Sequence, residues 1–379
     1  AYNRTNGELS CGSPTLLDGI LRNDWNFDGY IVSDCWAISD FWKYHKVVED
    51  DVHSAALAIK NSVNINCGNT YHKITQAVEQ ELITEEEVDK ALAGALRILF
   101  RLGWFDEHDN TQWADLGNKD VATPEHSALA RKTAVKSLIM LKNNGILPLD
   151  DRVKSIFVTG PNATSLEALW GNYNGFSGQW ITPFEGIVNR ANAGVAVNFN
   201  EGSKLTDDTN FRGTWMAGSS DVTIAFLGMN ALIEGEEGDA YLSKYGGDKN
   251  DLQLPANQIE FIKTLKKGGK PLVAVVMGGS ALSLDAIEPY VDAILWAWYP
   301  GEQGGNAIAD VLFGDEDPGG RLPLTFYHSV NDLPPFEDYS MKNRTYRYFS
   351  GDVSYPFGFG LSYTTFDLSA VQLNKKSFN

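Results

Sequence analysis

Short apolar segments alternate with amphipathic stretches over the first 105 residues. Residues 30–33, which are β-branched or aromatic except for Ser33, follow a turn at Asp28-Gly29 and predict a short buried strand. Residues 63–68 predict another. Apolar positions at helical spacing predict helices over 14–25 and 54–62, and a third from about Thr84, where a capping box precedes it. Strands alternating with helices are typical of a parallel sheet, but this length supplies only about three of the eight units of a closed barrel.

A second α/β pattern follows a stretch near 103–123 that lacks periodicity and is rich in Asp, Asn, Trp and Gly. A helix is predicted over 124–143, and further helices near 258–267 and 304–313. Strands are predicted over 155–159, 221–227, 271–277 and 292–298. This order predicts a Rossmann-like open sheet of about 200 residues, without the glycine spacing of a nucleotide-binding fingerprint.

The domain boundaries follow from these changes in pattern. After Pro323 helical character is lost, and an alternating apolar pattern begins at Phe366. We expect the domains and linkers to lie at 1–105 (barrel part), 106–123 (linker), 124–340 (open-sheet domain), 341–365 (linker) and 366–379 (start of a β domain).

The composition and net charge of the chain limit the kinds of molecule that it can bind. The net charge is −18 and the pI about 4.7, so nucleic-acid phosphates and anionic membrane surfaces would repel the chain. No run of 18 apolar residues predicts a membrane span. A neutral ligand fits better, and the 12% aromatic content suits stacking on sugar rings. The chain begins with Ala-Tyr-Asn, and both ends fall inside predicted elements, so we expect a fragment of a longer protein.

Three cysteines, Cys11, Cys35 and Cys67, are too few for a disulfide framework. A Cys35–Cys67 bridge is compatible with the sequence but does not follow from it. The histidines in the first 130 residues show no metal-ligand spacing, so we expect no metal site.

The first candidate for chemistry is Asp34, which follows the predicted strand 30–33 and precedes Cys35 and Trp36. The carboxyl ends of barrel strands hold catalytic groups, and a carboxylate beside an indole ring suits a sugar. The alternative interpretation is that Asp34 caps the following helix, since Asp is a favoured N-cap residue.

The second candidate is the acidic loop, residues 233–239, which contains Glu234, Glu236, Glu237 and Asp239 interleaved with glycines. It follows the predicted strand 221–227, where sites form in open sheets. Crowded carboxylates raise one another's pKa, so one of them could act as a general acid opposite a nucleophilic Asp34. A solvated acidic loop without function is the alternative.

Several blocks together resemble the glycoside hydrolase family 3 β-glucosidases and β-xylosidases. They occur in the family's order over nearly the whole chain: AYNRTNG at 1–7, LRNDWNFDGYIVSD at 21–34, LKNNGILPL at 141–149, GNY at 171–173, LPANQ at 254–258, PGEQGG at 300–305, PGGRLP at 318–323 and YPFGFGLSY at 355–363. The resemblance implies an α/β fold class: the C-terminal part of a TIM-like (β/α)8 barrel, then an α/β sandwich with an open, mostly parallel sheet, then the start of a fibronectin-III-like β domain.

The resemblance also implies roles for individual residues. The family's nucleophile corresponds to Asp34, and a sugar-contacting tyrosine to Tyr2. The aromatic residue that lines the sugar site corresponds to Trp36, although Cys35 intervenes. The acid/base glutamate corresponds to Glu236 when counted forward from the strand.

Counted back from Asp248-Lys249, which stands where Asp-Arg is usual, the acid/base glutamate is Glu237 instead, and we lean to Glu236. The Ser-Asp-Cys triplet at 33–35 and Asn-Cys-Gly at 66–68 look more like the β-xylosidase branch. The residues that hold sugar hydroxyls in the family lie on earlier barrel strands than those expected here.

The activity implied by the resemblance is that of a retaining exo-β-glycosidase, acting on terminal β-D-glucosyl or β-D-xylosyl residues of a small glycoside or oligosaccharide. No cofactor is implied, and neither nucleic acid nor membrane is expected as a partner. A dimer is compatible with the family, and a periplasmic or secreted location is favoured for the parent protein. The alternatives are a catalytically impaired or carbohydrate-binding homologue, and a phosphorylase or hexosaminidase with a histidine acid/base, for which no motif is visible.

Overall fold

The computed structural model describes residues 1–107, 112–244, 246, 249–365, 367 and 369. The chain forms two compact units, residues 1–119 and residues 120–379. Each unit has its own buried apolar clusters. The predicted first strand of a fibronectin-III-like domain, 366–379, lies outside the described residues except for 367 and 369.

The first unit is mostly helical. Its described elements are a hairpin of β1 (Arg4–Thr5) and β2 (Glu8–Leu9), a π-helix at Pro14–Asp24, and helices α1 (Asp40–Lys43), α2 (Asp51–Lys60), α3 (Ile74–Glu79) and α4 (Glu85–Arg101), with 3-10 turns at Ser10–Gly12 and Thr70–Lys73. The predicted capping box is confirmed, because Thr84 and Glu87 exchange side-chain-to-backbone hydrogen bonds of 2.8 and 3.2 Å.

The predicted strands at 30–33 and 63–68 are reduced to one parallel bridge between Val32 and Ile65. Ser33 N donates to the Ile65 carbonyl at 2.9 Å, so the pairing has the direction expected of a parallel sheet. The prediction of a buried strand at 30–33 is nevertheless wrong, because Val32 is 51% exposed. Within the described residues the segment pairs with another extended segment on one side only.

The second unit is built on a six-stranded sheet with strand order β3-β8-β7-β6-β4-β5. The neighbouring strands pair in parallel except for β3, which runs antiparallel to β8. The strands are β3 (Ile139–Asn143), β4 (Ser155–Thr159), β5 (Ala196–Asn200), β6 (Val222–Gly228), β7 (Leu272–Met277) and β8 (Ala293–Trp298). The prediction of an open, mostly parallel α/β sheet is confirmed.

The helices of the second unit precede, separate or follow these strands along the chain. They are α5 (Pro124–Ser137), α6 (Pro183–Arg190), α7 (Met216–Ser219), α8 (Ala231–Glu234), α9 (Ala256–Lys266), α10 (Gly304–Leu312) and α11 (Thr345–Tyr348), with 3-10 turns at Asn118–Asp120, Glu288–Tyr290 and Val330–Asp332. Every residue of β6 and of β7 is buried, as expected of central parallel strands covered on both faces.

One predicted helix of this unit is wrong in its second half. The helix expected over 124–143 ends at Ser137, and residues 139–143 form the edge strand β3. Residues 138–141 are all apolar and buried, and such a short run fits a buried strand and a buried helix equally well by periodicity. Strand β5 and helix α6 were not predicted.

Helix α5 is fixed to α10 by the ion pair of Arg131 with Asp310, whose carboxylate is only 7% exposed. The Arg131 Nε donates to Asp310 Oδ2 at 2.6 Å, and a second guanidinium nitrogen bonds the other oxygen. Replacing Arg131 by Met leaves a buried acceptor without its partner, so we expect the free energy of unfolding to fall by about 1–3 kcal/mol in urea titrations.

The matched control is Arg152→Met, which breaks the solvent-exposed pair of Arg152 with Asp150. Exposed pairs contribute about 0–1 kcal/mol, so this variant should remain close to the unsubstituted protein. Equal losses in the two variants would contradict the importance of burial at Asp310.

His328 gives the second unit a pH-dependent contact. Its Nδ1 lies 2.5 Å from Asp285 Oδ2 and 3.1 Å from Ser354 Oγ, and its Nε2 lies 3.4 Å from Asp352. The hydrogen bond to Asp285 raises the pKa of His328. A raised folded-state pKa stabilises the folded state fully below the ordinary histidine pKa of about 6.5, and the contribution is lost as the pH rises through the raised value.

We therefore expect His328→Asn to lower the free energy of unfolding at pH 6, by less than about 1 kcal/mol because the pair is partly exposed. The deficit should shrink when urea titrations are repeated at pH 9. The exposed His72, replaced by Asn, serves as the control. A deficit for His328→Asn that grows with pH would contradict the sign of this effect.

Candidate active site

Asp34 is an exposed residue immediately after the Val32–Ile65 bridge. Its Oδ1 accepts hydrogen bonds from the Cys35 backbone N–H at 2.8 Å and from the Tyr2 hydroxyl at 3.3 Å. The interpretation of Asp34 as a helix cap is wrong, because α1 begins six residues later with Ser39 at its N-cap. Its carboxylate is therefore oriented by two donors and open to solvent.

Tyr2 is the residue that joins the beginning of the chain to Asp34. Its hydroxyl also lies 2.7 Å from the Cys35 carbonyl oxygen, to which it donates, and the ring is 48% exposed. The Tyr2 carbonyl contacts His45 Nε2 at 2.7 Å, and Arg4 donates to the His45 carbonyl. Two predicted site residues, Tyr2 and Asp34, are thus adjacent in the folded unit.

Trp36 lies on the same segment and is 54% exposed. Its backbone has a φ of +67°, a conformation that bulky residues rarely adopt, and its N–H donates to the Cys67 carbonyl at 2.7 Å. A Cβ at Gly68 would lie 3.3 Å from the Trp36 ring. The ring therefore packs on backbone at one edge and offers apolar surface within two residues of Asp34.

Cys35 and Cys67 form a disulfide, which the sequence left open. The bond joins the residue after Asp34 to the segment that pairs with Val32. Ser33 reinforces this link, since its hydroxyl accepts a hydrogen bond from the Cys67 N–H at 3.0 Å. Asp34 is consequently flanked by a covalent cross-link at Cys35 and by a partly buried hydrogen bond at Ser33.

The acidic loop leaves the carboxyl end of β6 in the second unit. Asn230 caps the short helix α8 through a 3.0 Å bond to Leu232 N, and the chain turns at Gly235. Glu236 and Glu237 are both exposed. The Glu236 carbonyl accepts from Asp239 N and Ala240 N, so the backbone of the loop is ordered at Glu236. These contacts do not distinguish Glu236 from Glu237 as acid/base.

Glu234 is the acidic residue of this loop that the structure buries, with only 6% of its side chain exposed. Its carboxylate accepts hydrogen bonds from the Tyr299 hydroxyl and the Ser280 hydroxyl, both at 2.5 Å, and from Gly279 N. Lys249 Nζ lies 3.3 Å away. Sequence reasoning named Glu234 but gave it no role, because Tyr299 and Ser280 lie 65 and 46 residues further along the chain.

Burial is the main cause of the pKa shifts of two side chains that contact Glu234, Tyr299 and Lys249. Burial raises the pKa of Tyr299, and the negative charge of Glu234 raises it further, so the hydroxyl keeps the proton it donates. Burial lowers the pKa of Lys249, an effect that the attraction of Glu234 opposes.

Two family models match the chain. The glycosyl hydrolase family 3 N-terminal domain matches residues 1–98, which include Asp34, and the family's C-terminal domain matches residues 138–363, which include the acidic loop. The second match alone covers more than half of the chain. The chain belongs to glycosyl hydrolase family 3.

Curated proteins named as xylosidases resemble the chain over almost its whole length. A xylan 1,4-β-xylosidase from Xylanibacter ruminicola is 30% identical over 98% of this chain and 60% of its own length. A protein named β-xylosidase/α-L-arabinofuranosidase 2 from Medicago sativa subsp. varia is 35% identical over 98% of this chain and 49% of its own length. The chain thus spans about half the length of the curated relatives it matches.

Two solved glycosidase structures have the same fold as the chain. A family 3 exo-β-xylosidase in complex with a xylobiose aziridine activity-based probe superposes with a TM-score of 0.87 at 30% identity, over 96% of this chain and 48% of the other. A β-glucosidase from Erythrobacter marinus gives a TM-score of 0.82 at 31% identity, over 96% of this chain and 52% of the other.

Within the described residues, no group of three or more His, Cys, Asp or Glu side chains is arranged to hold a metal ion. Over the same residues, no helix has the length and apolar character needed to cross a membrane.

The disulfide yields a prediction on stability. Replacing Cys35 and Cys67 together by Ser should lower the free energy of unfolding by about 2–4 kcal/mol, because the unfolded chain regains the freedom of the closed loop. Urea titrations with and without dithiothreitol provide the control: the reductant should destabilise the unsubstituted protein and leave the double variant unchanged. Identical unsubstituted curves under both conditions would contradict a stabilising bridge.

Proposed function

We propose that this family 3 chain carries the catalytic residues of a retaining exo-β-glycosidase that removes terminal non-reducing β-D-xylosyl or β-D-glucosyl residues. The observation that carries the proposal is the exposed Asp34 carboxylate, which is oriented by Tyr2 and Cys35 N–H beside the Trp36 ring, in a chain of this family. The names of the curated relatives, most of which are xylosidases, favour the xylosyl substrate.

In the proposed reaction, Asp34 attacks the anomeric carbon and the bond to the leaving-group oxygen breaks, while Glu236, or alternatively Glu237, gives that oxygen its proton. The same glutamate then takes a proton from water. The water oxygen attacks the anomeric carbon, the ester bond to Asp34 breaks, and the sugar is released with its β-configuration. This chemistry requires the two carboxyl groups to come within about 5–5.5 Å of one another.

Tyr2 and Trp36 are proposed to bind the sugar. The Tyr2 hydroxyl, which shares its one proton between the Cys35 carbonyl oxygen and Asp34, can accept a hydrogen bond from a sugar hydroxyl close to the nucleophile. The exposed part of the Trp36 ring offers an apolar surface to the carbon face of the sugar.

We also propose that the protein is located in an oxidising compartment. Disulfides such as Cys35–Cys67 persist in the periplasm or outside the cell and are rare in the cytosol. A neutral oligosaccharide or small glycoside also suits a chain with a net charge of −18 better than a polyanion does.

The test is Asp34→Ala, made in the protein with the sequence that naturally flanks these residues. Hydrolysis of an aryl β-xyloside and an aryl β-glucoside should fall roughly 10³-fold or more, because the covalent step loses its nucleophile. Asp24→Ala replaces another exposed aspartate in the same unit and is the matched control, with activity expected to stay unchanged.

Near-normal hydrolysis by Asp34→Ala would refute the nucleophile assignment. Early formation of the α-anomer, followed by NMR, would refute the retaining mechanism. Binding of a xylo-oligosaccharide by the unsubstituted protein without release of sugar would favour the carbohydrate-binding alternative over catalysis.

A further inference from the structure

Glu234 and Lys249 lie on either side of the two proposed acid/base residues in the sequence. Their side chains meet in the folded unit, with Lys249 Nζ 3.3 Å from Glu234 Oε2, and the side chain of Glu234 is only 6% exposed and that of Lys249 only 15%. The chain between them contains Glu236 and Glu237. The ion pair therefore closes the base of the segment that carries the proposed acid/base.

The Glu234 carboxylate also bonds to the ends of two central strands. Gly279 N and the Ser280 hydroxyl follow β7, and the Tyr299 hydroxyl follows β8. With Lys249, four donors surround the two carboxylate oxygens. We call Glu234 and these four partners the Glu234 anchor.

This set of donors suits a carboxylate that is held in place as a hydrogen-bond acceptor. A general acid must instead carry a proton and give it to the leaving group, which requires access to the substrate. All four neighbours of Glu234 donate hydrogen bonds or positive charge, whereas Glu236 and Glu237 are exposed. Glu234 thus accepts hydrogen bonds from its partners, whereas Glu236 or Glu237 is proposed to give a proton to the substrate.

Gly235 connects Glu234 to the rest of the loop through tightly packed backbone. A Cβ at Gly235 would lie 2.2 Å from the Ala231 carbonyl oxygen and 2.8 Å from Asn172 Oδ1. The backbone is therefore packed tightly where it leaves Glu234. Glu236 lies two residues after Glu234, so the Cα atoms of these two residues are at most about 7 Å apart.

We propose that Glu234 is a positioning residue, which acts through its anchor to hold the acidic loop where Glu236 or Glu237 can serve as acid/base. The inference rests on the proposed function and deepens it. Loss of the anchor should weaken protonation of the leaving group, because small displacements of a catalytic group are costly.

The experiment compares Glu234→Gln, Glu234→Ala, Glu236→Ala and Glu237→Ala in the naturally flanked protein. The substrates are aryl β-xylosides with good and poor leaving groups, assayed with and without sodium azide. Removing a true acid/base carboxylate lets azide attack the anomeric carbon of the glycosyl-enzyme, break its ester bond and restore turnover. Glu260→Gln, which alters an exposed ion pair of the same unit, is the matched control.

The expected result has two parts. Glu234→Gln loses about 10- to 100-fold in kcat/KM on the poor leaving group and much less on the good one, because only the poor one depends on proton donation. Azide restores activity to Glu236→Ala or to Glu237→Ala, but not to Glu234→Ala, in which the acid/base carboxylate is still present.

Two results would overturn the inference. Rescue of Glu234→Ala by azide would make Glu234 itself the acid/base. Equal losses on both leaving groups, together with a lower thermal unfolding midpoint, would reduce Glu234 to a structural role. Should Glu234→Gln fail to fold, Tyr299→Phe removes one donor of the anchor and should show the same selectivity in milder form.

Failure of the proposed function is recognised separately. An unsubstituted protein that hydrolyses none of the aryl glycosides would overturn both proposals before any variant is compared. An active protein in which Glu234→Gln matches Glu260→Gln on both leaving groups would overturn the positioning role alone.

Discussion

Burial of strands β6 and β7 on both faces is the constraint on which the second unit depends. Such strands have no place for charged side chains along their length, so polar groups collect where the strands end. Glu234 follows β6, Ser280 follows β7 and Tyr299 follows β8, and the parallel direction brings these three ends to one edge of the sheet. The acidic loop is held there by its hydrogen bonds to the strand ends.

The sequence predicted most of this sheet, because buried parallel strands are short apolar runs between helices. Strands β4, β6, β7 and β8 lie within one residue of their predicted bounds. Residues 139–143 were assigned to a helix instead, since the run 138–141 is apolar at every position and shows no period. Antiparallel pairing with β8 decides its conformation, and pairing is a long-range property that periodicity does not record.

The candidate site likewise contains residues that the sequence could predict and residues that it could not. Asp34 and the acidic loop could be found because each follows a predicted strand and carries acids, which are local signals. The burial of Glu234 could not, since it depends on Tyr299 and Ser280, which are remote in sequence. Tyr2 was expected in the site only through resemblance to the family, and its contact with Asp34 was not predicted. Choosing between Glu236 and Glu237 needs the position of the substrate.

The cross-link between Cys35 and Cys67 ties the folding of this chain to the redox state of the compartment in which it folds. A chain synthesised under reducing conditions would present the segment around Asp34 held by hydrogen bonds alone, with a free thiol next to the proposed nucleophile. Preparations with the same sequence but different oxidation histories would then differ in structure around the proposed nucleophile. Thiol content should therefore be measured together with protein concentration whenever rates of such preparations are compared.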